Sequence, residues 1–188
     1  MVEFDAEKHE YKIGGALVAS VTQILKAGGI IDGRWYTDES RARGTAVHVA
    51  CDLYVRNDLD QTSLHPIVKP YFDAFLQFLL DTKFNPMLEL CEVPQYNPFF
   101  NYCGTPDLVG ILNRRPVLID LKTGDAKQSA RYQTAAYAEF PAIKVYSPCR
   151  YDLRLFNDGK YKLNAHRDSG DFNTFLSCLN VARAKGFA

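Results

Sequence analysis

The segment Gly104-Thr105-Pro106-Asp107 is followed, thirteen residues after its aspartate, by Asp120-Leu121-Lys122, and the two segments read as neighbouring strands. Two carboxylates brought side by side repel, and one is forced neutral unless a cation sits between them. A hard divalent ion such as magnesium or manganese takes oxygen ligands and leaves room for water and phosphate. A lysine beside that pair would hold an attacking water and neutralise charge growing on a phosphate. The chemistry implied is metal-assisted hydrolysis of a phosphodiester, with Asp107, Asp120 and Lys122 at its centre. Strand alternation supports the grouping: Val117, Ile119 and Leu121 face one way, while Leu118, Asp120 and Lys122 face the other.

Further residues could join this site. Glu92, in a segment that alternates like a strand from Leu88 to Gln95, could bind a second cation or orient water. His48 interrupts an apolar helix face four residues after Gly44, a glycine that would allow close approach to a neighbour or a phosphate. Gln133 and Tyr137 are four apart and share one helix face. Each also has a plain reading. The aspartates could be solvated strand ends, Lys122 a surface lysine, Glu92 a solvent-facing residue, His48 a satisfied core histidine, and Gln133 and Tyr137 core-rim residues. Only their conjunction separates the two sets of readings.

The elements that must position these residues follow from periodicity and turn chemistry. Residues 9–18 predict a hairpin turning at Gly14-Gly15. Ser20 is an N-cap for a short helix over Val21 to Lys26 that ends at Gly28-Gly29. A second helix is expected from about Thr37 to Arg56, and a third from Pro66 to Thr82 with Ile67, Tyr71, Phe75, Phe78 and Leu79 at helical spacing. After the 88–95 strand, Asn97-Pro98 turns the chain. Tyr102 to Leu112 and Pro116 to Lys122 are the next strands, joined tightly through Asn113-Arg114-Arg115. A helix from about Gln128 to Glu139 follows. Strands are then expected over Ile143 to Tyr146, Tyr151 to Phe156 and Tyr161 to Ala165, and a helix over Asp171 to Lys185.

A chain of 188 residues, 47% hydrophobic and 23% charged, can bury a real core and has little room for long disorder. We expect a single domain over residues 1–188. It comprises an N-terminal hairpin and helices (1–83), a catalytic core (84–165) and a C-terminal helix (170–186). No apolar leader opens the chain, and no apolar run is long enough to span a bilayer. The expectation is a cytoplasmic protein of a bacterial or phage-infected cell with no membrane partner. Five widely spaced cysteines with no C-x-x-C pair give no support to a zinc or iron–sulfur site. The net charge is zero, which argues against coating nucleic acid non-specifically. The cations are clumped instead, at Arg41/Arg43, Arg114/Arg115, Lys122/Lys127/Arg131 and Lys144/Arg150/Arg154, and folding could gather them on one face.

Taken in order, G-x-x-x-H (Gly44 to His48), Glu92, G-x-P-D (Gly104 to Asp107), D-L-K-T-G (Asp120 to Gly124) and Q-x-x-x-Y (Gln133 to Tyr137) resemble the PD-(D/E)XK nuclease superfamily. More narrowly they resemble its RecB-like branch, which includes phage-type exonucleases. His9, Tyr11 and the run Ser20-Val21-Thr22 are similar to an early motif of that branch, so the resemblance spans roughly residues 9–140. It implies an α/β, restriction-endonuclease-like core with a mixed central β-sheet flanked by α-helices. It also implies metal ligation by His48, Asp107, Asp120 and the Leu121 carbonyl, catalysis by Lys122, and an accessory role for Glu92. Gln133 and Tyr137 would contact the strand, with Arg41, Arg43 and Arg131 as supporting cations. Asp120 stands where many relatives carry glutamate, and the cysteine cluster of the iron–sulfur members is missing. The implied activity is a magnesium-dependent DNA exonuclease of phage-type recombination, repair or processing, with manganese as a substitute ion. Its products would carry a 5′-phosphate and a 3′-hydroxyl, and it would work as a homo-oligomer or with a recombination partner protein. A structure-specific endonuclease or nickase on the same fold, or a silent nucleic-acid-binding module, are the alternatives.

Overall fold

Val117 to Leu121 are all almost inaccessible to solvent, so this strand is covered on both faces and needs helices on each side. The computed structural model describes residues 2–5, 8–32, 37–124 and 129–187. It shows how that cover is built.

The N-terminal strands β1 (Val2–Asp5), β2 (Glu10–Ile13) and β3 (Ala16–Val18) form a small antiparallel sheet. Gly14 and Gly15 make the β2–β3 turn with φ of 57° and 82°. Helices α1 (Val21–Ala27), α2 (Asp38–Val55) and α3 (Lys69–Thr82) follow. Next come β4 (Asn85–Pro86), β5 (Gln95–Asn97), β6 (Tyr102–Gly104), β7 (Leu108–Leu112) and β8 (Arg115–Lys122). After α4 (Ser129–Ala138) and α5 (Pro141–Lys144), the chain forms β9 (Cys149–Leu155), β10 (Tyr161–His166) and α6 (Asp171–Ala184).

The central sheet has the order β10-β9-β8-β7-β4. Its pairs are antiparallel except β8–β9, which is parallel, so the sheet is mixed. That parallel step demands a crossover, and α4 supplies it. Below the sheet, Val47, Cys51, Phe72, Phe75 and Phe78 of α2 and α3 pack on Val117, Ile119 and Leu121. Above it, Ile24, Leu25, Phe140 and Phe175 cover Val109 and Leu118, with α1, α4 and α6 as the roof. The alternation expected along β8 therefore feeds two separate cores. Ser20 caps α1 as expected: its Oγ accepts from the Gln23 N–H (3.2 Å) while Gln23 Oε1 accepts from the Ser20 N–H (2.8 Å).

Several expectations need correction. The 88–95 segment is not a strand but a tight turn over 88–92, in which the Leu90 N–H bonds the Met87 carbonyl at 2.9 Å. Its alternation misled because Leu90 and Cys91 serve opposite cores. Tyr102 to Leu112 is two strands in two sheets, broken at Thr105–Asp107, where Pro106 has no N–H to pair. Asp107 thus sits at the break, before β7. Residues 143–146 are not a strand. Pro141 opens a single helical turn there, and the Phe140 carbonyl accepts from Ile143 and Lys144. Helix α3 begins at Lys69, with Pro70 in its first turn, and Ile67 lies outside it, half exposed. Strand β1 is an element that the hairpin reading did not contain. Gln128 and Lys127 lie outside the described residues.

Candidate metal centre and cleft

Three elements with no sequence proximity deliver three metal-binding side chains to one point. His48 comes from α2, Glu92 from the 88–92 turn, and Asp107 from the break between β6 and β7. His48 Nδ1 lies 3.4 Å from Asp107 Oδ1 and 3.7 Å from Glu92 Oε1. All three donor atoms fall within 4.8 Å of one another. Ligands at about 2.1 Å from a shared octahedral ion sit about 3–4.2 Å apart, so this donor set fits a hard divalent cation.

Backbone contacts hold Asp107 and the turn that carries Glu92. Asp107 Oδ2 accepts the Leu121 N–H at 2.6 Å, which turns Oδ1 toward His48. This hydrogen bond is how β8 aims the aspartate of the preceding loop. Glu92 has a left-handed backbone, φ 50°, an arrangement that costs a non-glycine residue about 1–3 kcal/mol. It is kept there by its own N–H on the Pro106 carbonyl (2.8 Å) and by Arg56, whose Nη2 donates to the Cys91 carbonyl (2.7 Å). Arg56 Nε also pairs with Asp52 at 2.8 Å. His48, Asp52 and Arg56 thus form one stripe of α2 that both supplies a donor and clamps the turn carrying another.

The electrostatics of the cluster call for positive charge. Burial would lower the His48 pKa, but Asp107 and Glu92 beside it prevail and hold the imidazole at about 10. Burial raises Glu92 to about 7 despite the neighbouring His48, and Asp107 adds to the rise. Burial also works to raise Asp107, but His48, Lys122 and the Leu121 N–H outweigh it and keep that carboxylate below its ordinary value. Asp120, almost fully buried, is pushed up to about 6 by desolvation, although Lys122 opposes the shift. A divalent ion among these donors would supply the positive charge that the clustered carboxylates favour.

Asp120 and Lys122 project to the same side of β8, as expected, with Lys122 Nζ 2.5 Å from Asp120 Oδ2. Asp120 is therefore engaged by the lysine, and the donor trio contains Glu92 in addition to His48 and Asp107. Leu121 is buried, and its N–H rather than its carbonyl is the group seen in contact with the site.

His48, Glu92, Asp107, Asp120 and Lys122 line one cleft of about 500 Å³, together with Gly44, Gln133 and Tyr137. Gln133 and Tyr137 are buried and hydrogen-bonded to each other. A Cβ on Gly104 would come within 2.7 Å of the Tyr137 ring, so the glycine of G-x-P-D is needed for that close approach. Gly44 differs, because a Cβ there would meet only Thr123 Oγ1 at 3.5 Å.

The expected cations are dispersed. Arg43 lies beside the end of β8, with Nη2 3.4 Å from the Thr123 carbonyl and its guanidinium 5.4 Å from the Tyr71 ring centroid. Arg41 is exposed and paired with Asp38 at 2.7 Å. Arg131 is bound to Asp168 and Asp171, both at 2.6 Å, and Arg150 also reaches Asp171. Arg154 pairs with Asp152, and Lys144 with Glu139. Arg41, Lys122, Arg131, Lys144, Arg150 and Arg154 are thus matched to the chain's own acids, whereas Arg43 meets a carbonyl and an aromatic ring. Tyr11 and Phe4 were not counted as site residues, yet both line the cleft, and Tyr11 Oη is 2.8 Å from Thr105 Oγ1. The tyrosine of the early H-x-Y run was a visible signal for Tyr11, and nothing in the sequence marked Phe4.

No family model matches the chain, and no curated protein matches it. Among solved structures, an alkaline exonuclease from Laribacter hongkongensis is similar in fold, with a TM-score of 0.50 at 10% identity over 89% of this chain and 87% of that one. The same enzyme in complex with dAMP matches with a TM-score of 0.41 at 10% identity and the same coverage. No helix among the described residues is long and apolar enough to cross a membrane. The chain has the restriction-endonuclease-like α/β fold, a mixed sheet flanked by helices on both faces, with its candidate metal centre at the end of β8.

Proposed function

We propose that this protein is a metal-dependent deoxyribonuclease of the PD-(D/E)XK superfamily, of the RecB-like, phage-type exonuclease branch. The observation that carries this reading is the meeting of His48, Glu92 and Asp107 with the Asp120–Lys122 pair in one cleft. His48, Glu92 and Asp107 would hold magnesium or manganese, which would supply a Lewis acid to polarise a phosphate and acidify water. Lys122 holds the nucleophile and balances charge on the phosphoryl oxygens, and Asp120 fixes the position of that ammonium. Asp107, anchored by the Leu121 N–H, keeps its free oxygen toward the reacting centre.

The exonuclease reading follows the resemblance to phage-type exonucleases, and a cleft of about 500 Å³ has room for one nucleotide beside the metal donors. The test is degradation of linear and closed circular DNA with magnesium, with manganese and with chelator, using wild type and Lys122→Ala. We expect loss of the linear substrate only, in the presence of metal, and a drop of at least about 10²-fold in the variant. Cutting of the circle would make the protein an endonuclease, and a fully active Lys122→Ala would remove the assignment.

A further inference from the structure

We infer that the N-terminal sheet provides a stacking subsite for an unpaired nucleobase, so that the strand enters the cleft single-stranded at its end. This inference rests on the nuclease reading of the same cleft and names its substrate class.

A phosphate and a cation need a polar site, yet much of this cleft is apolar or aromatic. Phe4 and His9 lie at its rim and Tyr11 behind them. The Phe4 and Tyr11 rings are 4.6 Å apart at 32°, and His9 meets Phe4 edge-on at 5.4 Å and 82°. Strand register makes this arrangement rigid, since Phe4 is the direct cross-strand partner of Tyr11. Tyr11 in turn is buried and tied through Thr105 to the loop that carries Asp107. The aromatic wall is therefore indexed to the metal centre by one hydrogen bond and two intervening residues.

The exposure pattern is the second observation. Tyr11 is core, but Phe4 keeps part of its ring open and His9 is exposed. In the same cleft, α2 presents Val49, an apolar residue 52% exposed and next in sequence to His48. His9 holds its position with a left-handed backbone, φ 54°. Desolvation and the Lys26 ammonium lower its pKa, which keeps the ring neutral. A cleft lined by clustered aromatic rings and an exposed aliphatic side chain accepts a flat, weakly polar body, and a nucleobase is that part of a strand end. At a duplex end the terminal base is still paired and stacked on the next pair, so an unpaired base is the one free to turn onto these rings.

The experiment has two arms. In the first, a single-stranded oligonucleotide ending in 2-aminopurine is bound in chelator, and its fluorescence is followed alongside its anisotropy. In the second, with magnesium, cleavage of an oligonucleotide with a normal terminal base is compared with one whose terminal residue is abasic. Wild type should quench the fluorophore and prefer the normal end by about tenfold, the scale of one base–aromatic stack. Phe4→Leu preserves apolar volume, and His9→Asn suits a left-handed backbone. Both should lose the quench and bring the end preference toward one. Equal cleavage of the two ends by wild type, bound strand without quenching, or quenching that survives in both variants would each overturn the subsite. If wild type cleaves no strand at all, the nuclease reading falls. The fluorescence arm then decides the subsite alone.

Discussion

At Gly44 the residue type and the surrounding protein disagree in an instructive way. A glycine inside a helix costs about 0.5–1 kcal/mol relative to alanine. Gly104 repays that kind of cost by admitting the Tyr137 ring, but a Cβ at Gly44 would touch only Thr123 at an ordinary distance. Gly44 lines the cleft one turn before His48, and on the proposed nuclease reading the body that would use its bare backbone is the incoming strand. Gly44→Ala should therefore raise unfolding stability by about 0.5–1 kcal/mol while lowering kcat/KM roughly tenfold. Thermal denaturation and a cleavage assay on the same preparation decide it. A destabilised variant would mean that helix packing explains the glycine, and unchanged cleavage would take Gly44 out of the site. The residue types of the centre were legible in the chain because carboxylate, imidazole and amine have few other uses in such a cluster. Glu92 was legible as a possible member, but its distance to His48 and Asp107 was not, because it depends on a backbone hydrogen bond at Leu121 and a left-handed turn at Glu92.

Helix α2 is the element that organises the site. One face buries Val47 and Cys51 under the sheet, and the adjoining stripe carries His48, Asp52 and Arg56 at intervals of four. Arg56 fastens the 88–92 turn through the Cys91 carbonyl, which makes it a positioning residue for Glu92. Partners of this kind behind a metal ligand are typically worth about 10–100-fold in metal affinity. Titration calorimetry with manganese should show Arg56→Ala weakening binding by about tenfold or more, beside a stability loss of about 1–3 kcal/mol. Equal manganese affinity in the two proteins would reduce Arg56 to a purely structural tie. Periodicity predicted α1, α2, β8 and α6 within a residue or two because their apolar stripes or caps are long and unambiguous. It failed at 88–95 and 143–146, where a few apolar residues fit strand, turn or helix equally well.

Over the whole molecule, zero net charge reflects pairing rather than neutrality of each surface. Asp152 shows the consequence most clearly. It is almost fully buried on β9, with His166 Nε2 at 2.8 Å, Asn164 Nδ2 at 2.8 Å and Arg154 Nε at 3.1 Å, tying β9 to β10. Burial works to raise its pKa, but the hydrogen bonds from His166, Asn164 and Arg154 prevail and hold it below its ordinary value. An unfolded aspartate titrates near about 3.9, so around that pH the unfolded chain binds more protons and acid favours unfolding. The contribution of Asp152 is complete above about pH 5 and is lost as pH falls through its folded value. Asp152→Asn should cost about 2–3 kcal/mol at pH 7, with the gap to wild type closing toward pH 3. Urea unfolding across that range measures it, and a gap independent of pH would show that the charge of Asp152 is not what stabilises the sheet.

What the sequence by itself determined was chemistry and local structure: the donor types and their order, the Ser20 cap, the Gly14-Gly15 turn and the alternation of side chains along β8. These depend on side-chain identity and on periods of 2 and 3.6, both of which are local. Tertiary structure alone decided which donors share a point, which arginines are consumed by the chain's own acids, and which aromatic rings overlook the cleft. Phe4 became part of the cleft only through its register with Tyr11, and Arg131 was withdrawn to α6 by Asp168 and Asp171. Those outcomes depend on distances between segments far apart in the chain, where a shift of a few ångströms exchanges a metal ligand for an ion pair.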